Sequence, residues 1–178
     1  GVGARLSVEP SYNSLTTGNN PEFPTYNDVL GNGWTHNYNV RLIFPTDPGG
    51  EAGVVRLIAP RGSVMRFTDN GDGTYAPFPA VLANLTRTDL GGGVYEYHVV
   101  TNSQYEYVFD NSGRLQKIFD PQDHLTTLTY TGNQLTQITN AAGQSFTLAY
   151  DGNGRLQTVT DSSTPARTAT FAYDGSGN

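Results

Sequence analysis

Cysteine is absent from this chain of 178 residues, and methionine and tryptophan each occur once. Without Cys there is no disulfide scaffold and no thiolate zinc site. Lys and Arg together number 10 against 16 Asp and Glu, for a formal net charge of −6. A chain with so little positive charge has few means of neutralising phosphates, so neither nucleic acid nor an anionic membrane is expected as a partner. No segment approaches the roughly 18 consecutive apolar residues of a membrane helix. Gly1-Val2-Gly3-Ala4-Arg5 also lacks the basic-then-apolar order of a signal peptide. Helix-forming runs of Ala, Glu, Lys and Leu are sparse, and no helix is expected.

What is present points the other way. Gly occurs 21 times, Tyr 11 and Phe 8, a composition of strands and tight turns. Charged residues are only 15% of the chain, and with this many aromatics that excludes disorder. A chain of this length can bury about 70% of its unfolded surface when compact.

The last third repeats itself. Phe109-Asp110-Asn111-Ser112-Gly113-Arg114-Leu115 runs on to Ile118 and Asp120. Tyr130-Thr131-Gly132-Asn133-Gln134-Leu135 runs on to Ile138 and Asn140. Tyr150-Asp151-Gly152-Asn153-Gly154-Arg155-Leu156 runs on to Val159 and Asp161. The leucines step by 20 and then 21 residues, and the aromatics by 21, 20 and 23. The longer last step is a turn insertion at Ser162-Ser163-Thr164-Pro165. A fourth copy opens at Tyr173-Asp174-Gly175-Ser176-Gly177 and stops at Asn178, so the chain is expected to be a fragment of a longer array.

Each copy reads as two short strands and two turns. Asp accepts hydrogen bonds from the backbone two residues on, and the closing Gly takes positive φ without strain. Phe146 to Tyr150 and Thr168 to Tyr173 alternate large apolar with small residues, the period of a strand. Leu115 and Ile118 lie three apart and cannot share a face of a regular strand. Either a bulge or apolar cover on both faces resolves this.

Upstream, hairpins are expected at 94–99 with 104–109 and at 54–58 with 64–67. Asp69-Asn70-Gly71-Asp72-Gly73 turns the chain toward Tyr75, Asn37 to Phe44 forms a further strand, and about 13–33 is an irregular loop. The expected fold is all-β: consecutive antiparallel β-hairpins forming a twisted, spiralling sheet. The expected regions are 1–108 and 109–178.

Tyr-Asp followed by Gly-Arg-Leu, a β-branched residue and Asp resembles the YD repeat of Rhs-type proteins over 109–178. Ser11-Tyr12-Asn13-Ser14, with Pro10 where Arg is usual, resembles an element of the segment that precedes such arrays. So does Gly31-Asn32-Gly33-Trp34-Thr35-His36-Asn37-Tyr38 followed by Val40-Arg41-Leu42. The second copy departs from the pattern, with Tyr130-Thr131 in place of Tyr-Asp and no Arg before Leu135. The resemblance implies a bacterial, secreted or cell-surface polypeptide whose hairpins wind into a hollow shell. Its partners are then further YD repeats and a carboxy-terminal toxin or effector domain of the same polypeptide. In related animal proteins a similar barrel serves adhesion.

No catalytic set is legible. His36, His98 and His124 are scattered without metal-ligand spacing and read as structural. Asp69 to Gly73 lacks the oxygen spacing and twelfth-position Glu of a calcium loop. Asp47, Asp110, Asp120, Asp151, Asp161 and Asp174 sit in turns, and repetition at the repeat period argues for structure over acid–base work. Gly31-Asn32-Gly33 lacks the third Gly of a dinucleotide fingerprint. Gly-x-Ser-x-Gly, His-Glu-x-x-His and phosphate-loop motifs are missing. Asn84-Leu85-Thr86 fits a glycosylation triplet of a kind common by chance. The expectation is a non-enzymatic protein with no cofactor and no metal. Trp34 and Tyr38 are the residues that could stack on a sugar, making cell-surface glycans the alternative partner, against the plainer reading of both as packing residues. A sheet fragment has open edges, from which self-association is expected.

Overall fold

The computed structural model describes residues 6–13 and 27–174. It divides into two compact units, Gly1–Asn37 with His124–Asn178, and Tyr38–Asp123.

In the first unit, β1 (Pro10–Tyr12) pairs antiparallel with β4 (Trp34–His36), and β2 (Asn27–Asp28) with β3 (Gly31–Asn32). Most of the loop expected at 13–33 falls on 14–26, outside the described residues. Its end, 27–33, carries β2 and β3 instead of an irregular path.

The second unit opens with a four-stranded antiparallel sheet in chain order: β5 (Arg41–Ile43), β6 (Val54–Ile58), β7 (Val64–Asp69) and β8 (Tyr75–Pro77). The expected strand from Asn37 to Phe44 is shorter than its sequence suggested, because Asn37 and Tyr38 form a turn and only Arg41–Ile43 enters the ladder. The hairpin between β6 and β7 forms as the turn residues 59–63 dictate, through a 3-10 turn at Pro60–Gly62. All five residues of β6 are buried, which suits an uninterrupted Val-Val-Arg-Leu-Ile run covered on both faces. Arg56 lies within this run, and its guanidinium donates to the Gly49 carbonyl, which gives the buried charge a partner. The unit continues with β9 (Ala83–Gly91), β10 (Val94–Thr101), β11 (Glu106–Phe109) and β12 (Leu115–Phe119), in which β10 pairs antiparallel with β9, β11 with β10 and β12 with β11.

The first unit resumes with β13 (Leu125–Thr131), β14 (Gln134–Asn140), β15 (Ser145–Tyr150), β16 (Leu156–Asp161) and β17 (Thr168–Thr170). These are again successive antiparallel hairpins. The protein is all-β, built of consecutive hairpins.

The three-residue spacing of the repeat resolves as a bulge. Phe109 pairs with Leu115 and Val108 with Lys117, leaving Gln116 as the extra residue. Tyr130 pairs with Leu135 and Thr129 with Gln137, leaving Thr136. Tyr150 pairs with Leu156 and Ala149 with Thr158, leaving Gln157. One extra residue shifts the alternation by one, so residues three apart return to the same face. Leu135 and Ile138 are accordingly both buried, as are Leu156 and Val159. The same device appears upstream of the periodic region, where Leu90 is the extra residue between β9 and β10.

Candidate functional site

The sequence-named aromatics part company. Trp34 is 38% exposed, whereas Tyr38 is 8% exposed and belongs to the core of the second unit. The ring that accompanies Trp34 is Tyr12, its direct partner across β1 and β4. The two centroids lie 5.3 Å apart with planes tilted by 49°, and Tyr12 is 54% exposed. The first unit thus presents a pair of exposed aromatic faces, carried by a partner that the sequence reading had used only as part of a motif.

The histidines stay apart. His36 is buried. His98, half-buried on β10, has Nδ1 2.7 Å from Glu106 Oε1 and Nε2 3.2 Å from Glu96 Oε1. Among the described residues no group of three or more His, Asp or Glu is arranged to hold a metal ion. The Asp69 to Gly73 segment is a turn tied to itself: Asp69 accepts from the Gly71 N–H, and Asp72 from the backbone N–H and hydroxyl of Thr74.

The repeat-period residues form one joint, built twice over. Asp110 Oδ1 accepts the backbone N–H of Ser112 at 2.9 Å and of Arg114 at 3.0 Å, while Oδ2 accepts from Arg114 Nε at 2.9 Å. Asp151 does the same with Asn153, Arg155 and the Arg155 guanidinium, each at 2.9 Å. These bonds hold the Asp151 carboxyl below the usual carboxylate range, the Arg155 backbone N–H first among them. At the other turn of the repeat, where the first copy has Asp120 and the third Asp161, the second copy has Asn140, which keeps the backbone half of the device by accepting from Ala142 and Gln144 at 3.0 Å each. The insertion after Asp161 preserves the joint across a longer loop. Asp161 accepts from Ser163, from the Arg167 N–H, and from the Arg167 guanidinium at 2.7 and 2.6 Å. Its carboxyl is held far below the ordinary range, chiefly by the Ser163 hydroxyl and the Arg167 N–H.

Successive repeats are then stitched by tyrosine. The Tyr150 hydroxyl donates to the Leu135 carbonyl, 15 residues earlier, at 2.8 Å. Tyr173 reaches the Leu156 carbonyl, 17 residues earlier, at 2.6 Å. Both acceptors belong to the leucine beside a bulge. Arg155, already clamped by Asp151, lies 4.3 Å over the Tyr173 ring, joining the acid of one copy to the aromatic of the next through a cation–π contact. In the sequence the tyrosines show only as aromatics that recur at the repeat period. The period of 20–21 residues was the one signal of their role.

Fold and joint together define the class: a β-hairpin repeat protein of the Rhs/YD type. The family model described as RHS Repeat matches residues 131–166, so the chain carries repeats of the Rhs/YD type. Among curated proteins it is similar to the tRNA3(Ser)-specific nuclease WapA of Bacillus spizizenii, with 31% identity over 138 residues, 76% of this chain and 5% of that relative. The tRNA nuclease WapA of Bacillus subtilis strain 168 matches at the same 31% over 138 residues. The chain therefore spans about 5% of the length of the curated relatives it matches.

Proposed function

We propose that this chain is a wall segment of a larger Rhs/YD-repeat polypeptide, secreted or surface-exposed, that helps to enclose a carboxy-terminal toxin domain, and that it has no catalytic activity of its own. The observation that carries this reading is the stitched joint. Asx-type turns recur at the repeat period, and two successive copies are each tied to the one before by a tyrosine hydroxyl, so the sheet extends by addition of similar units. Its relatives carry nuclease names and are about twenty times longer than the matched segment, which supports a division of labour between wall and cargo.

The test is electron cryomicroscopy of the longer polypeptide that contains this chain. A hollow shell with these hairpins in its wall and additional density inside is the expected result. A solid globule, or an open array with the terminal domain outside, refutes the proposal. Self-association through the outer edge of β17, whose three residues are all exposed, is expected for the isolated chain and is read by light scattering.

The exposed Tyr12–Trp34 pair favours one second reading, an adhesion or carbohydrate-binding module. Glycan-array binding that is lost on Trp34→Ala supports it, and an array with no signal rejects it.

A further inference from the structure

Two arginines stand directly opposite each other in the second unit, Arg56 on β6 and Arg66 on β7. Direct partners across an antiparallel ladder share a face, so both guanidiniums leave the sheet on the same side. Arg41, two residues along β5 from Ile43, the partner of Arg56, adds a third to that face. The chain has only 10 Lys and Arg and a net charge of −6, so this is a local concentration that the overall balance conceals.

Arg56 is 4% exposed. Its guanidinium donates to the Gly49 carbonyl, an acceptor that brings no charge, and among the described residues no carboxylate pairs with it. Arg66 donates to Glu51, and its guanidinium lies 5.0 Å over the Phe78 ring. One carboxylate thus serves two guanidiniums, which leaves a surplus of one positive charge. The Nε of Arg56 and that of Arg66 are both buried and have no acceptor. A buried cation without a counter-charge is costly, and a buried donor without an acceptor adds to that cost. Guanidinium donors form a planar fork that fits the paired oxygens of a carboxylate or phosphate. Buried Ile43 beside Arg56 and the Phe78 ring beside Arg66 supply apolar walls, where such bonds are stronger than in water. The Arg66 and Glu51 side chains are 36% and 39% exposed, so the face opens to solvent on their side.

We propose that Arg56 and Arg66 form a binding site for one small oxyanion, a free carboxylate or phosphate, reached past Glu51. The oxygens of the anion take up the buried Nε donors, and its charge balances the surplus. Glu51 sets the affinity, because its carboxylate already engages Arg66 and repels an incoming anion. Gly49 and Glu51 both lie on the connection between β5 and β6, so an occupied site ties that connection to the sheet.

The test is thermal melting of the full 178-residue chain in sodium acetate, sodium phosphate and sodium chloride at about pH 7 and matched ionic strength. Chloride, a single-point acceptor, is the reference. At about ten times its dissociation constant, acetate or phosphate should raise the melting temperature by roughly 3–5 °C over chloride. Titration calorimetry with sodium phosphate should find one site per chain. Arg66→Met should abolish the difference between the salts. Glu51→Gln should enlarge it, with the anion bound roughly three- to tenfold more tightly. A merely structural Glu51–Arg66 pair predicts the reverse, a loss of stability in Glu51→Gln that no anion restores. Equal melting in all three salts for both the parent and Glu51→Gln overturns the proposal. So does a preference for acetate or phosphate that persists undiminished in Arg66→Met.

Discussion

Strand β6 buries all five of its residues, whereas β13 and β15 each bury one and β16 buries two. Within the four-stranded sheet of the second unit, β6 is covered on both faces and held by the area it removes from water. The repeat hairpins of the first unit bury a single row of Leu, Ile and Val. They draw the rest of their definition from turn carboxylates and tyrosine hydroxyls. Hydrogen bonds of this kind contribute modestly to stability but strongly to register, which is what a repeating sheet requires.

The comparison breaks first at its core. Phe67, wholly buried on β7, should lose about 3–5 kcal/mol on replacement by Ala. Chemical denaturation is expected to show the second unit failing while the repeats keep their hydrogen-exchange protection. Equal loss in both units would mean that they do not differ as described.

The two glycines at matching repeat positions sharpen it next. Gly113 has φ +74°, and a Cβ there would stand 2.4 Å from the Leu42 carbonyl oxygen. Gly154 has φ +79°, with nothing nearer to its Cβ than the Gln134 amide at 3.7 Å. Gly154→Ala should cost only the left-handed backbone strain, about 1–2 kcal/mol. Gly113→Ala adds overlap with β5, for about 2–4 kcal/mol in all. Thermal melts of the two variants should therefore separate.

Tyr150→Phe removes one stitch and leaves the ring in place. About 1 kcal/mol is expected, because the Leu135 carbonyl loses its donor. Hydrogen exchange should localise the effect to β14 and β15, and a change confined to the second unit would contradict the assignment.

The smallest effect is one of pH. The Asp151 and Asp161 carboxyls are held below their ordinary range, so their contribution is present above about pH 4 and is lost as the pH falls further. Asp151→Asn keeps an acceptor for the backbone, as Asn140 does naturally, but cannot pair with Arg155. An acid titration followed by circular dichroism should show a shallower decline in that variant.

Hairpins, turns and the repeat were legible because they rest on local chemistry. Asp or Asn opening a turn, Gly closing it and β-branched residues between them act within a few residues of one another. The bulge was posed by Leu115 and Ile118 but left open, since one strand alone does not reveal its partner's register. The Asn37 to Phe44 strand was overextended because apolar Tyr38 and Val40 are buried by packing rather than by pairing. The stitch from Tyr173 to Leu156 and the pairing of Tyr12 with Trp34 join residues 17 and 22 apart. Neither has a local signature. His98 likewise read as solitary because Glu106 reaches it only across the hairpin.

The central claim, that this chain is wall around a cargo, is tested most directly by protease protection in the longer polypeptide that carries it. With the segment intact, the carboxy-terminal domain should resist a protease that digests it readily once separated, and Phe67→Ala should open it to cleavage. A terminal domain that is cut at the same rate with and without the intact segment would contradict the account.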